Sequence, residues 1–113
     1  MADTLDRDAL KEKIDRGDHF RLIEVLSEEE YRSGHLPGAI HLPVDEIRER
    51  APELLPDEDD TIVVYCRAPD CDASPKAVRI LEELGYEEVL HYPGGKEGWE
   101  EAGYPMEGEG SGS

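Results

Sequence analysis

The chain has 113 residues, 12 of them basic and 29 acidic, for a formal net charge of −17, with 36% charged and 37% hydrophobic residues. A chain of this length can close one core, hiding roughly 60–70% of its unfolded surface, and leaves no room for two domains. So negative a protein repels the phosphate backbone of nucleic acids and acidic lipid surfaces, which excludes both as partners.

The opening stretch, Met1-Ala-Asp-Thr-Leu-Asp-Arg-Asp8, has neither a basic n-region nor an apolar h-region. The longest apolar run, Thr61-Ile-Val-Val-Tyr-Cys66, is far short of a membrane span, so a cytoplasmic protein is expected. Thr4 to Arg16 reads as a first helix, with Leu5, Ala9, Leu10 and Ile14 on one face, Thr4 as its cap and Gly17 as its stop. Phe20 to Leu26 reads as a strand. Ser27-Glu-Glu-Glu30 fits a capping box that opens a short helix ending near Ser33-Gly34. After the turn Leu36-Pro37-Gly38, Ala39 to Leu42 is a brief strand, Val44 to Arg50 a helix stopped by Pro52, and Pro56 to Asp60 an acidic loop. Thr61 to Tyr65 is apolar at consecutive positions, as in a strand covered on both faces of a parallel sheet, and should be central. Residues 66 to 73 carry no period. Ser74-Pro75 then opens a helix with Ala77, Val78, Leu81 and Leu84 inward, proline at its first position and Gly85 past its end. Glu88 to Tyr92 returns as a strand, completing a βαβ unit whose crossover should be right-handed. Gly94-Gly95 is a turn and Glu97 to Ala102 a short helix holding Trp99. Residues 1–106 are thus expected to form one domain, and 107–113, Glu-Gly-Glu-Gly-Ser-Gly-Ser, a flexible tail.

High net charge with few apolar residues is the signature of disorder, but here the apolar residues gather into strands and helical stripes with the acids between them. Four lysines stand against eight arginines. Such an acid-rich, lysine-poor exterior fits adaptation to high salt, and equally an ordinary acidic surface.

In a parallel sheet a ligand sits where a strand feeds the amino terminus of a helix. Cys66 stands at that point, facing a loop of Arg67, Ala68, Pro69, Asp70, Cys71, Asp72 and Ala73 that leads to Ser74. Loop amides can curl round an anion, and the partial positive charge of the helix terminus favours a thiolate. A thiolate at the base of an amide cradle is a nucleophile beside an anion site. The alternative is a cysteine that merely fills the core.

With Cys66 in place, the chain resembles the rhodanese-like (sulfurtransferase) family over about residues 4 to 106. The resemblance lies in Leu22-Ile-Glu-Val25 with Glu29-Glu30-Tyr31, in Gly34-His-Leu-Pro-Gly-Ala-Ile40 with Leu42-Pro43, and in Ile62-Val-Val-Tyr-Cys-Arg67. It continues through Ser74-Pro-Lys-Ala77, Leu81-Glu-Glu-Leu-Gly-Tyr86, Gly94-Gly-Lys-Glu-Gly-Trp99 and Ala102-Gly-Tyr-Pro105. The family implies an α/β three-layer sandwich, flavodoxin-like or doubly wound, with a mostly parallel sheet of about five strands. It also implies a cysteine that takes a sulfane sulfur as persulfide and passes it to a thiol or cyanide. Carried over, Cys66 is the nucleophile and residues 67–73 are the cradle.

Three departures bear on the chemistry. Ser74 lies eight positions after Cys66, where the commonest family loop has its serine at six, so a wider cradle is expected. The related cell-cycle dual-specificity phosphatases also have a longer loop but hold phosphate with an arginine six positions past the cysteine, where this chain has Asp72. A carboxylate facing a phosphate dianion opposes that chemistry and, more mildly, thiosulfate. Secondly, Cys71 can fold back as a resolving thiol, or merely pack, or pair with His35 or His91 at a metal, for which the spacing is weak; a structural disulfide is not expected in a reducing cytoplasm. Thirdly, the first strand carries Glu24 and Leu26 where many members have an aspartate and an arginine, which removes an ion pair. His35 reads as a structural hydrogen-bonding residue, Tyr65 and Trp99 as core, and Lys96 either as an attractor of anionic donors or as an exposed, inert lysine. Arg67, and less so Lys76, should supply the positive potential at the loop.

The resulting expectation is a sulfurtransferase that moves sulfur from thiosulfate, mercaptopyruvate or a persulfide, small or protein-bound, through Cys66 to a thiol or cyanide. It needs no cofactor or metal and acts as a monomer. Its rivals are a catalytically weak rhodanese-like module for protein binding or redox sensing and, against the missing loop arginine, a phosphatase or arsenate reductase-like enzyme.

Overall fold

A computed structural model describes residues 3–67 and 71–107. Among the described residues five strands form one sheet, all in parallel: β1 (Asp3–Thr4), β2 (Arg21–Glu24), β3 (Ile40–His41), β4 (Thr61–Tyr65) and β5 (Glu88–Tyr92), in the order β1-β5-β4-β2-β3. From β2 onward this follows the 2-1-3-4 order of flavodoxin-like sheets, and the amino-terminal strand takes the remaining edge place. Both edge strands are two residues long, which leaves little unpaired backbone. The chain runs outward from β2 to β3, then crosses to β4 and β5 on the other side, so the topological switch lies between β2 and β4.

The described helices that cover the sheet are α1 (Arg7–Arg16), α2 (Glu28–Ser33), α3 (Ile47–Leu54, entered through a 3₁₀ turn at Val44–Glu46), α4 (Ala73–Glu83) and α5 (Gly95–Glu101). Alternation along β4 divides the core. Ile62, Val64 and Cys66 face α3 and α4 with Ile47, Ala51, Ala77 and Leu81, while Val63 and Tyr65 face Leu10 of α1 and Trp99 of α5. All five residues from Ile62 to Cys66 are at most 1% exposed, as the unbroken apolar run requires of a central strand.

The first helix differs from expectation. Thr4 pairs with His91 in the sheet, and Asp6 caps α1 by accepting from the Ala9 amide at 2.8 Å. Ser27 caps α2 as expected, accepting from the Glu30 amide at 3.3 Å. Pro52 does not end α3. Ile47, Ala51 and Leu55 repeat every fourth residue, each at most 1% exposed, and that burial outweighs the one hydrogen bond proline removes. Pro75 is the third rather than the first residue of α4, where its missing N–H costs no bond because the first four amides of a helix have no partner within it. Glu107, grouped by sequence with the tail, exchanges two 2.8 Å backbone hydrogen bonds with His35. The rest of that tail, 108–113, lies outside the described residues. Among the described residues no helix is long and apolar enough to cross a membrane.

Candidate active site

Cys66 follows directly on β4, at the carboxyl end of the central strand and beside the topological switch. Its backbone is clamped from one side. The Lys96 amide donates to the Cys66 carbonyl at 3.1 Å, and the Glu97 amide donates to the Arg67 carbonyl at 2.9 Å. Two of the amides that α5 would leave unpaired at its start thus hold the first two residues of the loop. Gly95 makes this possible: its φ of 62° lets the helix begin immediately after the turn, in a region that costs a side-chain-bearing residue about 1–2 kcal/mol.

The far end of the loop is fixed as well. Asp72 is the N-cap residue of α4, exposed and without a capping hydrogen bond from its side chain, and its carbonyl accepts from the Lys76 amide at 3.4 Å. Ala73 begins the helix. Ser74 is buried, its hydroxyl 2.8 Å from Nε2 of His91 on β5. Burial holds His91 below the ordinary histidine value. His91 therefore pins α4 to β5, which is a different task from the metal pairing with Cys71 that the sequence left open. No group of three or more His, Cys, Asp or Glu suited to a metal is present among the described residues.

Between these anchors, Cys66 and Cys71 are joined as a disulfide with their Cα atoms 6.3 Å apart. Cys66 is 1% exposed, while Cys71 is half-buried and packs against the α3/α4 side of the core. Ala68, Pro69 and Asp70, the middle of the expected cradle, lie outside the described residues.

Two charged residues behave differently from expectation. Lys96 is neither an exposed lysine nor a free attractor of anions: it is 5% exposed, stands 2.9 Å from a carboxylate oxygen of Glu24, and donates to the Glu30 carbonyl at 2.6 Å. Glu24 is wholly buried and also accepts from the Tyr65 hydroxyl at 2.6 Å, which in turn accepts from the Leu36 amide at 3.1 Å. Burial first, and the Glu24 charge next, push the Tyr65 hydroxyl well above the ordinary tyrosine value. The ion pair that Leu26 cannot make is thus replaced by one from α5. Sequence reasoning missed it, although a glutamate inside the apolar stretch Leu22-Ile-Glu-Val25 was the signal: a buried carboxylate demands a partner.

Arg67, expected to supply positive potential, is about half-exposed and 3.7 Å from Glu30. Both line a cleft of about 280 Å³ with Lys96, Glu97, Glu100 and Met106. Three carboxylates against two cations make this cleft negative, and Lys76 stays exposed on α4. His35 is structural: its Nδ1 lies 2.9 Å from the Tyr31 carbonyl and its ring stacks on Tyr31 at 3.9 Å.

The rhodanese-like domain family model matches residues 6–102. The chain is 40% identical over 75 residues to the thiosulfate sulfurtransferase PspE of Escherichia coli, covering 66% of this chain and 70% of that protein. It is 43% identical over 86 residues to the HTH-type transcriptional regulator Rv0324 of Mycobacterium tuberculosis, covering 76% of this chain but only 37% of the regulator. Among solved structures, BH2092 of Bacillus halodurans superposes with a TM-score of 0.90 at 28% identity, over 97% of this chain and 80% of that one.

Proposed function

The chain belongs to the rhodanese-like domain family, and from that premise we propose that it is a sulfurtransferase acting through a persulfide on Cys66. The observation that carries this reading is the position of Cys66, at the carboxyl end of the central strand and at the mouth of a loop feeding α4. Once the bond to Cys71 is reduced, the Cys66 thiolate attacks the outer sulfur of a donor. The donor's sulfur–sulfur or carbon–sulfur bond breaks, and its electron pair departs with sulfite, a thiol or the pyruvate enolate. The backbone amides at the start of α4 stabilise the charge on the persulfide and the leaving group. A thiol or cyanide then takes the outer sulfur and returns Cys66 to thiolate.

The donor class follows from the charges at the loop. Arg67 faces Glu30, Lys96 faces Glu24, and Asp72 lies exposed at the start of α4. With these cations neutralised, mercaptopyruvate or a protein-bound persulfide is better suited than the thiosulfate dianion. The working unit is the domain of residues 1–106, a cytoplasmic monomer that needs no cofactor.

The test uses protein reduced by a dithiol and freed of reductant, then given thiosulfate or mercaptopyruvate with cyanide as acceptor. Thiocyanate should form with wild type and fall to background in Cys66→Ser; turnover in that variant equal to wild type sinks the assignment. A second reading, a redox-sensing or binding module, is favoured by the disulfide that closes Cys66. It gains if reduced wild type forms no persulfide with either donor.

A further inference from the structure

We propose that Cys71 converts the sulfurtransferase into a sulfide-releasing enzyme: it attacks the Cys66 persulfide and expels the carried sulfur as hydrosulfide. This rests on the persulfide reading above. It goes further in naming the product and the class of reductant that resets the site.

The outcome depends on which sulfur Cys71 reaches. A persulfide on Cys66 has an inner sulfur, the cysteine's own Sγ, and an outer sulfur received from the donor. Attack on the outer one merely moves the persulfide to Cys71. Attack on the inner one forms a Cys66–Cys71 disulfide and frees the outer sulfur. The structure joins Cys71 Sγ to Cys66 Sγ, the inner atom, with the two Cα atoms 6.3 Å apart. That separation lies within the ordinary disulfide range of roughly 4.4–6.8 Å.

The loop keeps this geometry available after reduction. Its start is tied to α5 through the Cys66 and Arg67 carbonyls, and its end to β5 through Ser74 and His91. Cys71 packs against the same side of the core that buries Cys66. A thiol held so near its target reacts as an intramolecular nucleophile, ahead of an acceptor that must arrive from solution. The burial of Cys66, 1% exposed, also impedes an outside thiol approaching the inner sulfur.

The step balances. The Cys71 thiolate supplies an electron pair to Cys66 Sγ, forming the new sulfur–sulfur bond. The persulfide bond breaks, and its pair leaves with the outer sulfur, which takes the proton lost by Cys71 and departs as hydrosulfide. The two thiols are oxidised by two electrons, and the sulfane sulfur is reduced by two. Return to the dithiol state requires a dithiol reductant, small or protein-borne, through ordinary thiol–disulfide exchange.

The experiment is a single turnover without external thiol or cyanide. Wild type is reduced, desalted and mixed with mercaptopyruvate, and in a parallel arm with thiosulfate at high salt. Pyruvate or sulfite measures sulfur loading, bimane-trapped sulfide measures release, and peptide mapping locates the disulfide and any persulfide. Wild type should release sulfide equal to the pyruvate or sulfite formed and end with the Cys66–Cys71 disulfide, at a rate independent of protein concentration. In Cys71→Ser and in Cys71→Ala the ratio of sulfide to leaving group should fall to background, with the sulfur retained on Cys66. Loading without sulfide in wild type, or a first-order rate constant for sulfide release that rises with protein concentration, overturns the proposal and leaves sulfur transfer by Cys66 standing. No loading in either arm overturns both.

Discussion

Replacing Lys96 with methionine removes the counter-charge of Glu24 while keeping an unbranched apolar stem in the same space. In the native protein Glu24 is fully buried, with Lys96 Nζ at 2.9 Å and the Tyr65 hydroxyl at 2.6 Å. Lys96→Met leaves the carboxylate with Tyr65 alone and leaves the Glu30 carbonyl without its 2.6 Å donor. Removing one partner of a buried ion pair costs about 3–5 kcal/mol, because the remaining charge stays desolvated. For a chain of 113 residues the entropy of unfolding is about 0.24 kcal/mol/K, so the melting temperature should fall by about 12–20 °C. The loss is a large share of the about 5–15 kcal/mol that holds a domain folded. Neutralising the other partner as well should restore most of it: in Glu24→Gln/Lys96→Met the glutamine still accepts from Tyr65 and no lone charge remains, so stability should return to within about 1–2 kcal/mol of wild type. Urea and thermal unfolding of the two single variants and the double variant measure the coupling directly. A Lys96→Met protein that melts within about 3 °C of wild type, or a double variant no better than the single one, refutes the claim that Glu24 and Lys96 depend on each other.

Two other predictions concern solution conditions. With thiosulfate as donor, turnover should rise with ionic strength, because the Debye length shrinks from about 30 Å at 0.01 M salt to about 3 Å at 1 M and silences the distant carboxylates; turnover that falls with salt would show that the net charge of −17 does not act on the donor. His91 gives a pH signature. Its value is held down by burial, so between its native value and the ordinary value of about 6.5 the unfolded chain binds the proton first. Native stability should therefore fall as pH drops from about 7.5 through 6.5, and a His91→Gln protein should lack that part of the slope. Urea midpoints across this range test it, and a stability difference between wild type and variant that does not change with pH counts against it.

The parts of the fold that were legible in sequence are those set by local pattern. Four consecutive apolar positions from Ile62 to Tyr65 placed β4 at the centre, and the inward stripe of α4 was plain from Ala77, Val78 and Leu81. Cys66 could be located because it closes that strand. What escaped depends on partners distant in sequence. Glu24 reads in sequence as a strand residue whose ion pair is lost with Leu26, and Lys96 as an exposed lysine or an attractor of anions, yet the two meet because α5 docks on the face of the sheet that carries Tyr65. The length of α3 escaped for a similar reason: Pro52 is a local stop signal, and the burial that overrides it comes from the packing of Ala51 and Leu55 under the sheet. Thr4 reads in sequence as a cap because its alternative partner, His91, lies at the other end of the chain.

Net charge and the chemistry of the site also come apart at this level. Near Cys66 two cations are already committed, Lys96 to Glu24 and Arg67 to Glu30, so they add little attraction for an anionic donor. In the proposed reaction, what remains to favour a thiolate is the start of α4, a short-range dipole that added salt screens far less than the remote carboxylates. The surrounding negative field then acts differently on the two halves of the proposed cycle. It hinders the approach of thiosulfate, a dianion, and it assists the departure of hydrosulfide, an anion formed inside the protein. Salt should therefore accelerate loading by thiosulfate more than it changes the release of sulfide. That difference separates a field acting on the donor from a general effect of salt on folding, which would move both steps together.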